Sequence, residues 1–481
     1  MIDTANIQDE LNRTAKMFLD TGEAATVDEA YAILGSYHLS VRLGADVAHS
    51  PTLQAALLTI VNTGRRCFHG GVEVAGCPDA DLLVYLEGAR TLEQAIIKLE
   101  GRLVESVASN HPEIVIGDTD ASATSEFSIR ATYDGWIGGV APVDDGIRLA
   151  EAQEFTPAGV LAGSLAVSEA FQFVRGKNPM AGSRPVGFSL WEPHSNEDWT
   201  ATRNKGPELE LLPARLWLIG LGHLGQAYLW TLGFLPFASP EEVLIVLQDT
   251  DRLSVANDST SPLTNTDLVD QPKTRAMAAW CEARGFQTRI VERLFADGFR
   301  VGSDEPMVAL CGVDNGLARA SLEDVGFSRV IEAGLGRGTD EFLAFQIHSF
   351  PGAKPAREIW DSSAVEPLQD QSIEAAAYAD LGERGVDKCG LTLLANRAVG
   401  ASFVGTFAST LVIAEVLRML AGAAAFDVID GTLRQPNTIE AIVKTKKLPP
   451  FNPGITPAIP AFSDAANGVE ERTKILVEAS I

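Results

Sequence analysis

One stretch of the sequence decides the predicted fold: Leu216-Trp217-Leu218-Ile219-Gly220-Leu221-Gly222-His223-Leu224-Gly225. Its first four residues have the pattern of an apolar strand, and a helix pattern and a second apolar strand (243–247) follow the glycine loop. Glycines without side chains let backbone N–H groups approach a phosphate, and the positive end of the next helix points to the same place. The second strand leads to Asp249, whose carboxylate suits hydrogen bonds from a ribose. The layout predicts an α/β unit that binds a nucleotide.

The composition is that of an ordinary globular protein and argues against some functions. The 481 residues give room for two or three domains, with 46% apolar and 21% charged residues. A net charge of −26 argues against general nucleic-acid binding, which needs Lys and Arg to neutralise phosphates. Apolar stretches such as 408–416 are shorter than a bilayer span, and residues 1–20 have a polar helix pattern rather than that of a signal peptide. We therefore expect a cytoplasmic protein.

The five cysteines are scattered and odd in number, which is typical of a reducing compartment. Cys67, His69 and Cys77 lie close in sequence, but no second C-x-x-C or H-x-x-x-H pair completes a tetrahedral site. No structural zinc site is expected.

Alternating helix and strand patterns predict the fold class α/β, with two α/β units in one chain. The predicted organisation is a first domain (1–195), a linker (196–214), a second domain (215–445) and a proline-rich tail (446–481). In the first domain we predict helices over 1–60, 91–107 and 157–176, strands over 81–86, 113–116 and 186–191, and extended chain over 127–140. In the second we predict strands near 308–312, 329–332, 343–348 and 426–429, a helix over 401–420, and a short helix at 468–478 in the tail.

Two of the predicted helices share an internal pattern. The spacing of Gly159, Glu169 and Gly176 equals that of Gly405, Glu415 and Gly422. Coincidence between two alanine-rich packed helices would give the same pattern, but we favour a degenerate duplication. The first copy lacks the glycine loop and the acidic strand end, so only the second copy is expected to bind nucleotide.

Further polar residues follow the glycine loop at intervals: Asn257, Lys273, Asp314, Asn315 and Arg319. A lysine suits a triphosphate, and an aspartate at the end of a strand suits Mg²⁺. Each also has a structural interpretation, as a turn cap, a solvated charge or an Asx turn that begins a helix. Their joint order favours the functional interpretation.

That order resembles the ubiquitin-activating and ThiF-type adenylyltransferase family (the HesA/MoeB/ThiF superfamily), over roughly residues 215–425. The resemblance implies a Rossmann-like adenylation domain preceded by a degenerate adenylation-like half, a pseudo-dimer within one chain. It also implies that ATP and Mg²⁺ are used to activate the C-terminal carboxylate of a ubiquitin-like or sulfur-carrier protein, or a peptide, that ends in glycine. The products are an acyl adenylate and pyrophosphate.

The same resemblance implies the roles of individual residues. Gly220, Gly222, His223 and Gly225 belong to the nucleotide loop, Asp249 and Asp251 hold the ribose, and Asn257 and Lys273 hold the phosphates. Asp314 holds the metal, beside Asn315 and Arg319. Electrostatic positioning then supplies most of the catalysis.

The sequence departs from the family pattern at three points. Thr260 stands where the family has an arginine, the paired C-x-x-C motifs of many bacterial members are absent, and His223 stands where glycine is common. Loss of that arginine removes a charge clamp on the α-phosphate. In fused members an arginine from the other half reaches the site, and Arg42 is our candidate for this role. A side chain at position 223 would line the rim of the loop, where it would narrow the site or contact phosphate.

Some members pass the acyl group to a cysteine as a thioester. Cys389 is the candidate here, because a lysine and a glycine flank it in a predicted loop and a nearby cation raises the thiolate fraction. A small, partly buried loop cysteine is an equally good interpretation. His348, at a predicted strand end, is a further candidate for lining the site.

Three functions stay open at this stage. The first is an ATP-dependent adenylyltransferase; the second is an NAD-type oxidoreductase, which shares the glycine loop and Asp249 but gives no reason for Lys273, Asp314 and Arg319. The third is a non-catalytic ATP-binding scaffold or partner, which Thr260 motivates.

Overall fold

The computed structural model describes residues 6–119, 123, 125–195, 198–201, 203–360, 376–446 and 448–459. Helices alternate with strands in two large, mainly parallel sheets, which confirms the predicted α/β class. The predicted domain boundaries stay predictions, although the first large sheet ends at Ser189 and the second begins at Arg215.

The first sheet has the order β3-β2-β1-β4-β5-β6-β7. All neighbours are parallel except β6, which runs antiparallel to β5 and β7. Its strands are β1 (His38–Leu43), β2 (Gly71–Ala75), β3 (Arg102–Val104), β4 (Glu113–Ile116), β5 (Ser128–Asp134), β6 (Ile137–Pro142) and β7 (Val186–Ser189).

The second sheet has the order β11-β10-β9-β12-β13-β14-β15-β16, so its first seven strands repeat the order of the first sheet. Its strands are β9 (Arg215–Ile219), β10 (Leu244–Gln248), β11 (Gln287–Val291), β12 (Val308–Cys311), β13 (Arg329–Leu335), β14 (Ala344–Phe350), β15 (Phe426–Thr432) and β16 (Glu440–Val443). A small sheet pairs β8 (Leu211–Pro213) with β17 (Ile455–Pro457). The central β9 is buried from Leu216 to Ile219, as expected of a parallel strand covered on both faces.

The described helices cover the faces of the sheets and form the N-terminal segment. They are α1 (Ile7–Glu10), α2 (Arg13–Asp20), α3 (Val27–Gly35), α4 (Pro51–Gly64), α5 (Leu92–Lys98), α6 (Thr156–Val174), α7 (His223–Gly233), α8 (Lys273–Ala283), α9 (Gly316–Ala320), α10 (Ala356–Ile359), α11 (Ala376–Glu383), α12 (Lys388–Ala395) and α13 (Ser402–Leu420).

The two helices with the shared glycine pattern, α6 and α13, pack against each other, and α6 packs on α4 and α13 on α7, the helices that follow β1 and β9. A Cβ at Gly159 would lie 2.1 Å from the Thr52 backbone oxygen on α4, and one at Gly405 would lie 2.3 Å from the His223 ring on α7. Glycine at these two positions therefore permits close helix contacts in both halves, with a backbone atom at Gly159 and with a side chain at Gly405.

Both α6 and α13 are long and apolar enough to cross a membrane by length and composition, and 89% of the apolar window of each is buried inside the protein. The stretch 408–416 lies within α13, whose bounds are close to the predicted 401–420. Burial in the core accounts for this composition.

Several predicted elements of the first half were wrong. Residues 1–60 contain β1 as well as helices, and β2 was not predicted. The strand predicted at 81–86 is reduced to an isolated bridge between Asp81 and Thr91. The helix predicted over 91–107 ends at Lys98, because Glu100 has a positive φ of 64° and β3 follows. The helix predicted at 468–478 lies outside the described residues.

Candidate functional site

The carboxyl ends of β9, β10 and β12 face a cavity of about 600 Å³. Most of the site residues predicted from the sequence line this cavity: Gly220, Gly222, His223, Asp249, Asp251, Asn257, Lys273, Asp314, Asn315 and Arg319. Four of the predicted residues do not line it: Arg42, Gly225, His348 and Cys389. Ligands of parallel α/β sheets bind at this edge of the sheet.

The glycine loop has the geometry of an open anion cradle. Gly220 has a φ of +83°, which favours glycine, and its N–H donates to the Gln248 backbone oxygen at 2.9 Å. Gly222 immediately precedes α7, and a Cβ there would meet no described atom within 4 Å. A Cβ at Gly225, by contrast, would lie 2.0 Å from the Gly220 oxygen. Gly222 therefore leaves space, whereas Gly225 permits close packing of the helix on the loop.

Asp249 and Asp251 lie after β10 and have partners in the protein. One Asp249 carboxylate oxygen accepts from the Leu221 N–H at 2.7 Å, and the other accepts from the Asp251 N–H at 2.8 Å. The Asp251 carboxylate accepts from the Lys273 ammonium at 3.0 Å. Asp249 thus orders the glycine loop, and Asp251 holds the lysine at the cavity wall.

Asn257 and Asn315 cap local structure, which is the structural interpretation considered in the sequence analysis. Both also line the cavity. Asn257 Oδ1 accepts from the N–H and, at 3.3 Å, from the hydroxyl of Ser254, which closes a capping box. Asn315 Oδ1 caps α9. Asp314 is exposed and makes no ion pair with a described residue.

Arg319 lies at the cavity wall and is held by the protein. Its Nε donates to the Val313 oxygen at 2.8 Å and lies 3.1 Å from a carboxylate oxygen of Glu332, which is fully buried. The guanidinium lies 5.7 Å from the centre of the Trp360 ring. His348 does not line the cavity, contrary to the prediction, because it is buried beside Glu332 with Nδ1 3.0 Å from the carboxylate.

The cavity is lined by six basic and three acidic side chains, and four of the basic ones were not predicted: Arg13, Arg293, Arg337 and Arg397. Arg13 begins α2, and its Nη2 donates to the Gln8 oxygen at 2.9 Å. Its Nη1 is buried and has no hydrogen-bond partner among the described residues. Burial, and next the charge of Arg397, lower the pKa of Arg13 to about 10. The guanidinium remains charged near neutral pH and has unused capacity for an anion.

An arginine from the first half does reach the cavity, but the predicted residue was wrong. Arg42 lies on β1 and pairs with the buried Glu113 at 3.0 Å, within the first sheet. Arg13 is contributed by the first 195 residues instead. No local sequence signal distinguishes Arg13, since an arginine in the first turn of a short helix is normally a solvated charge.

His223 is at the rim of the cavity, as expected, but it does not bring a positive charge there. Its ring packs against Gly405 on α13, and Nε2 lies 3.4 Å from the Ser402 oxygen. Burial lowers its pKa to about 4. The imidazole is therefore neutral near pH 7.

Cys389 is exposed at the second position of α12, not in the loop that we predicted and not partly buried. The other end of α12 leads into residues 397–401, which line the cavity. Eight helical residues span about 12 Å, so the thiol is separated from the cavity by the length of the helix.

The residues described contain no group of three or more His, Cys, Asp or Glu side chains that could hold a metal ion. A divalent cation at Asp314 would need ligand oxygens from a substrate and water, as is usual for Mg²⁺ in nucleotide sites.

Comparisons with known proteins give two family matches and one close relative. The model of the BilD C-terminal domain matches residues 212–423, and that of the BilD N-terminal domain matches residues 38–190. A protein of Collimonas sp. (strain OK412) described as bacterial E1-like protein BilD is 42% identical over 451 residues, which are 94% of this chain and 96% of the relative.

Solved structures of E. coli MccB are more distant. MccB with ATP is 12% identical at a TM-score of 0.31 and covers 49% of this chain and 65% of that chain. MccB alone is 11% identical at a TM-score of 0.30, with 49% and 63% covered. The chain thus spans slightly less than two thirds of the MccB structures that it matches.

Proposed function

We propose, since this chain belongs to the BilD family of bacterial E1-like proteins, that it is an ATP- and Mg²⁺-dependent adenylyltransferase. Its substrate is the C-terminal carboxylate of a ubiquitin-like or sulfur-carrier protein, or of a peptide. The observation that carries the proposal is the surplus of basic over acidic side chains around an open glycine cradle, with the buried and unpaired Nη1 of Arg13 among them.

The residues of the cavity fit a nucleoside triphosphate. The Gly222 cradle offers backbone N–H groups at the start of α7, where the helix dipole favours an anion. Lys273 and Arg13 supply charges to the phosphates, and the carboxylates of Asp249 and Asp251 line the cavity where ribose hydroxyls would donate hydrogen bonds to them. Mg²⁺, held at Asp314, would neutralise phosphate charge.

The proposed reaction needs positioning and charge stabilisation more than proton transfer. A carboxylate oxygen of the substrate attacks the α-phosphorus, the bond from that phosphorus to the bridging oxygen breaks, and pyrophosphate leaves. The protein holds the two anions together and balances the charge on the phosphoryl oxygens. Arg13, Lys273 and Arg319 are the side chains that we assign to this task.

The first half is proposed to be an inactive copy of the second, which makes the chain a pseudo-dimer. The shared strand order and the close helix contacts of Gly159 and Gly405 support this proposal. In the first half the loop after β1 carries Asp46, which pairs with Arg148, and Arg148 also lies 3.3 Å from Asp118 after β4. An ion-pair network thus follows β1 and β4, which correspond in sheet order to β9 and β12 beside the cavity.

We further propose that the acyl group is transferred to Cys389. The thiol is exposed, which a thioester with a partner protein requires. Because about 12 Å of helix separates it from the cavity, the transfer requires movement of α12 or of the substrate's C-terminus.

Exchange of labelled pyrophosphate into ATP tests the adenylation. The assay contains Mg²⁺ and a candidate carrier with a C-terminal glycine; a small protein encoded beside this one is the first choice. We expect exchange in the wild type and its loss in Lys273→Ala and Asp314→Ala, whereas Lys177→Ala, an exposed lysine of the first half, retains it. Exchange that survives both site changes refutes the assignment, and ATP binding without exchange with any carrier supports the scaffold alternative.

A further inference from the structure

Thr260, which stands where the family pattern has an arginine, lies against a cavity segment from a distant part of the sequence. The connection between α12 and α13 (396–401) lines the cavity from Arg397 to Ala401. A Cβ at Gly400 would lie 3.3 Å from Thr260 Cγ2. Thr260 and this connection therefore form one wall of the cavity.

The backbone of the connection is fixed by contacts at both ends. The Gly400 oxygen accepts from the Thr14 hydroxyl at 3.0 Å, and the Val399 N–H donates to the Arg337 oxygen at 3.1 Å. At the end of α12 the Ala395 oxygen accepts from the Lys16 ammonium at 3.3 Å. Arg397 thus extends from a held backbone.

The charge of Arg397 is only weakly compensated. The ion pair that it makes with a described residue is with Asp9 at 3.0 Å, and both side chains are close to half exposed, at 48% and 43%. Exposed pairs of this kind contribute little to stability. Arg397 lines the same cavity as Arg13 and is close enough to lower the pKa of that guanidinium, by more than Asp9 raises it. Two neighbouring guanidinium groups without a full complement of anions favour a phosphate between them.

We propose that Arg397 supplies the positive charge at the α-phosphate that the family resemblance places at position 260. Arg397 lies more than a hundred residues after Thr260 in sequence, but both line the same wall of the cavity. This inference rests on the proposed ATP site. It predicts that the Thr260 departure does not by itself make the protein a non-catalytic scaffold.

Displacement of a fluorescent ATP analogue by AMP and by adenosine tests the proposal without any carrier protein. We expect Arg397→Ala to weaken AMP binding about 10- to 100-fold, as for a lost hydrogen bond to a charged group, and to leave adenosine binding unchanged. Arg397→Lys should recover part of the AMP affinity, and Thr260→Arg placed in the Arg397→Ala protein should recover more. Arg384→Ala, which removes a guanidinium on the surface, is the matched control and should bind AMP like wild type.

Asp9→Asn separates the phosphate role from a structural one. It removes the ion-pair partner of Arg397 and should leave AMP affinity unchanged or increase it. If the ion pair were purely structural, Asp9→Asn and Arg397→Ala would lose AMP affinity equally. If folded Arg397→Ala protein binds AMP with wild-type affinity, the role of Arg397 is refuted, but the proposed ATP site is not. Failure of the wild type to bind ATP or AMP contradicts the proposed function itself.

Discussion

Replacing Gly222 by alanine separates ligand binding from folding at the glycine loop. A Cβ at this position meets no described atom within 4 Å, so the methyl group displaces nothing that is packed in the protein. Because Gly222 is the N-cap of α7 and alanine is a poorer N-cap than glycine, we expect the free energy of unfolding to fall by about 1 kcal/mol or less. The methyl group occupies part of the cavity wall where backbone N–H groups would approach the phosphates.

The expected loss of affinity follows from the hydrogen bonds that the methyl group blocks. A hydrogen bond to a charged group contributes roughly 1.5–3 kcal/mol, so the loss of one such bond weakens ATP binding about 10- to 150-fold. Calorimetric titration with ATP and Mg²⁺ measures the dissociation constant, and urea unfolding measures stability. A Gly222→Ala protein with normal stability and wild-type ATP affinity refutes the assignment of the cradle.

Gly225→Ala is the matched control, for which we expect a larger loss of stability than for Gly222→Ala. Its Cβ would lie 2.0 Å from the Gly220 oxygen, a backbone atom that moves only with the whole loop. Overpacking of this kind costs about 1–3 kcal/mol, so this variant should unfold at lower urea concentration. Unchanged stability would contradict the described contact between α7 and the loop.

Three further predictions concern single residues. Arg13→Ala should weaken ATP binding about 10- to 100-fold, whereas Arg42→Ala should destabilise the first sheet and leave ATP affinity unchanged. Equal ATP affinities in the two variants would contradict the role of Arg13. The pKa of His223 is lowered from 6.5 to about 4 in the folded protein. Between these pH values the unfolded chain binds a proton that the folded chain does not. Stability is therefore lost as pH falls from 6.5 to about 4, by up to about 3 kcal/mol. Urea unfolding at pH 7 and at about pH 4.5 should show a smaller loss for His223→Gln, and an equal loss would show that this imidazole does not titrate as described. Cys389→Ala should abolish thioester formation with a carrier on non-reducing gels but retain pyrophosphate exchange, and a thioester that persists would exclude this cysteine.

Much of the second half could be predicted from the sequence, because its central strands are buried on both faces and appear as continuous apolar runs. The polar residues after those strands come together since the carboxyl ends of parallel strands share one edge of the sheet. In β1, by contrast, Ser40 and Arg42 interrupt the apolar pattern, and Arg42 is accommodated by its buried partner Glu113.

The missed arginines have a different cause. Arg13 contacts Ser259, which lies 246 residues away in sequence, and Arg397 reaches the cavity through a connection packed on Thr260. Such long-range contacts leave no local pattern in one sequence. The role of His223 was missed for a similar reason, since only the packing of α13 shows that the ring faces Gly405.

The central claim is that the cavity at the glycine loop binds ATP rather than a nicotinamide cofactor. Calorimetric titration of the wild-type protein with ATP and Mg²⁺, and separately with NAD⁺, tests it most directly. We predict saturable ATP binding that is weakened in Lys273→Ala, with much weaker binding of NAD⁺. Tight NAD⁺ binding in the absence of any measurable ATP binding would contradict the claim.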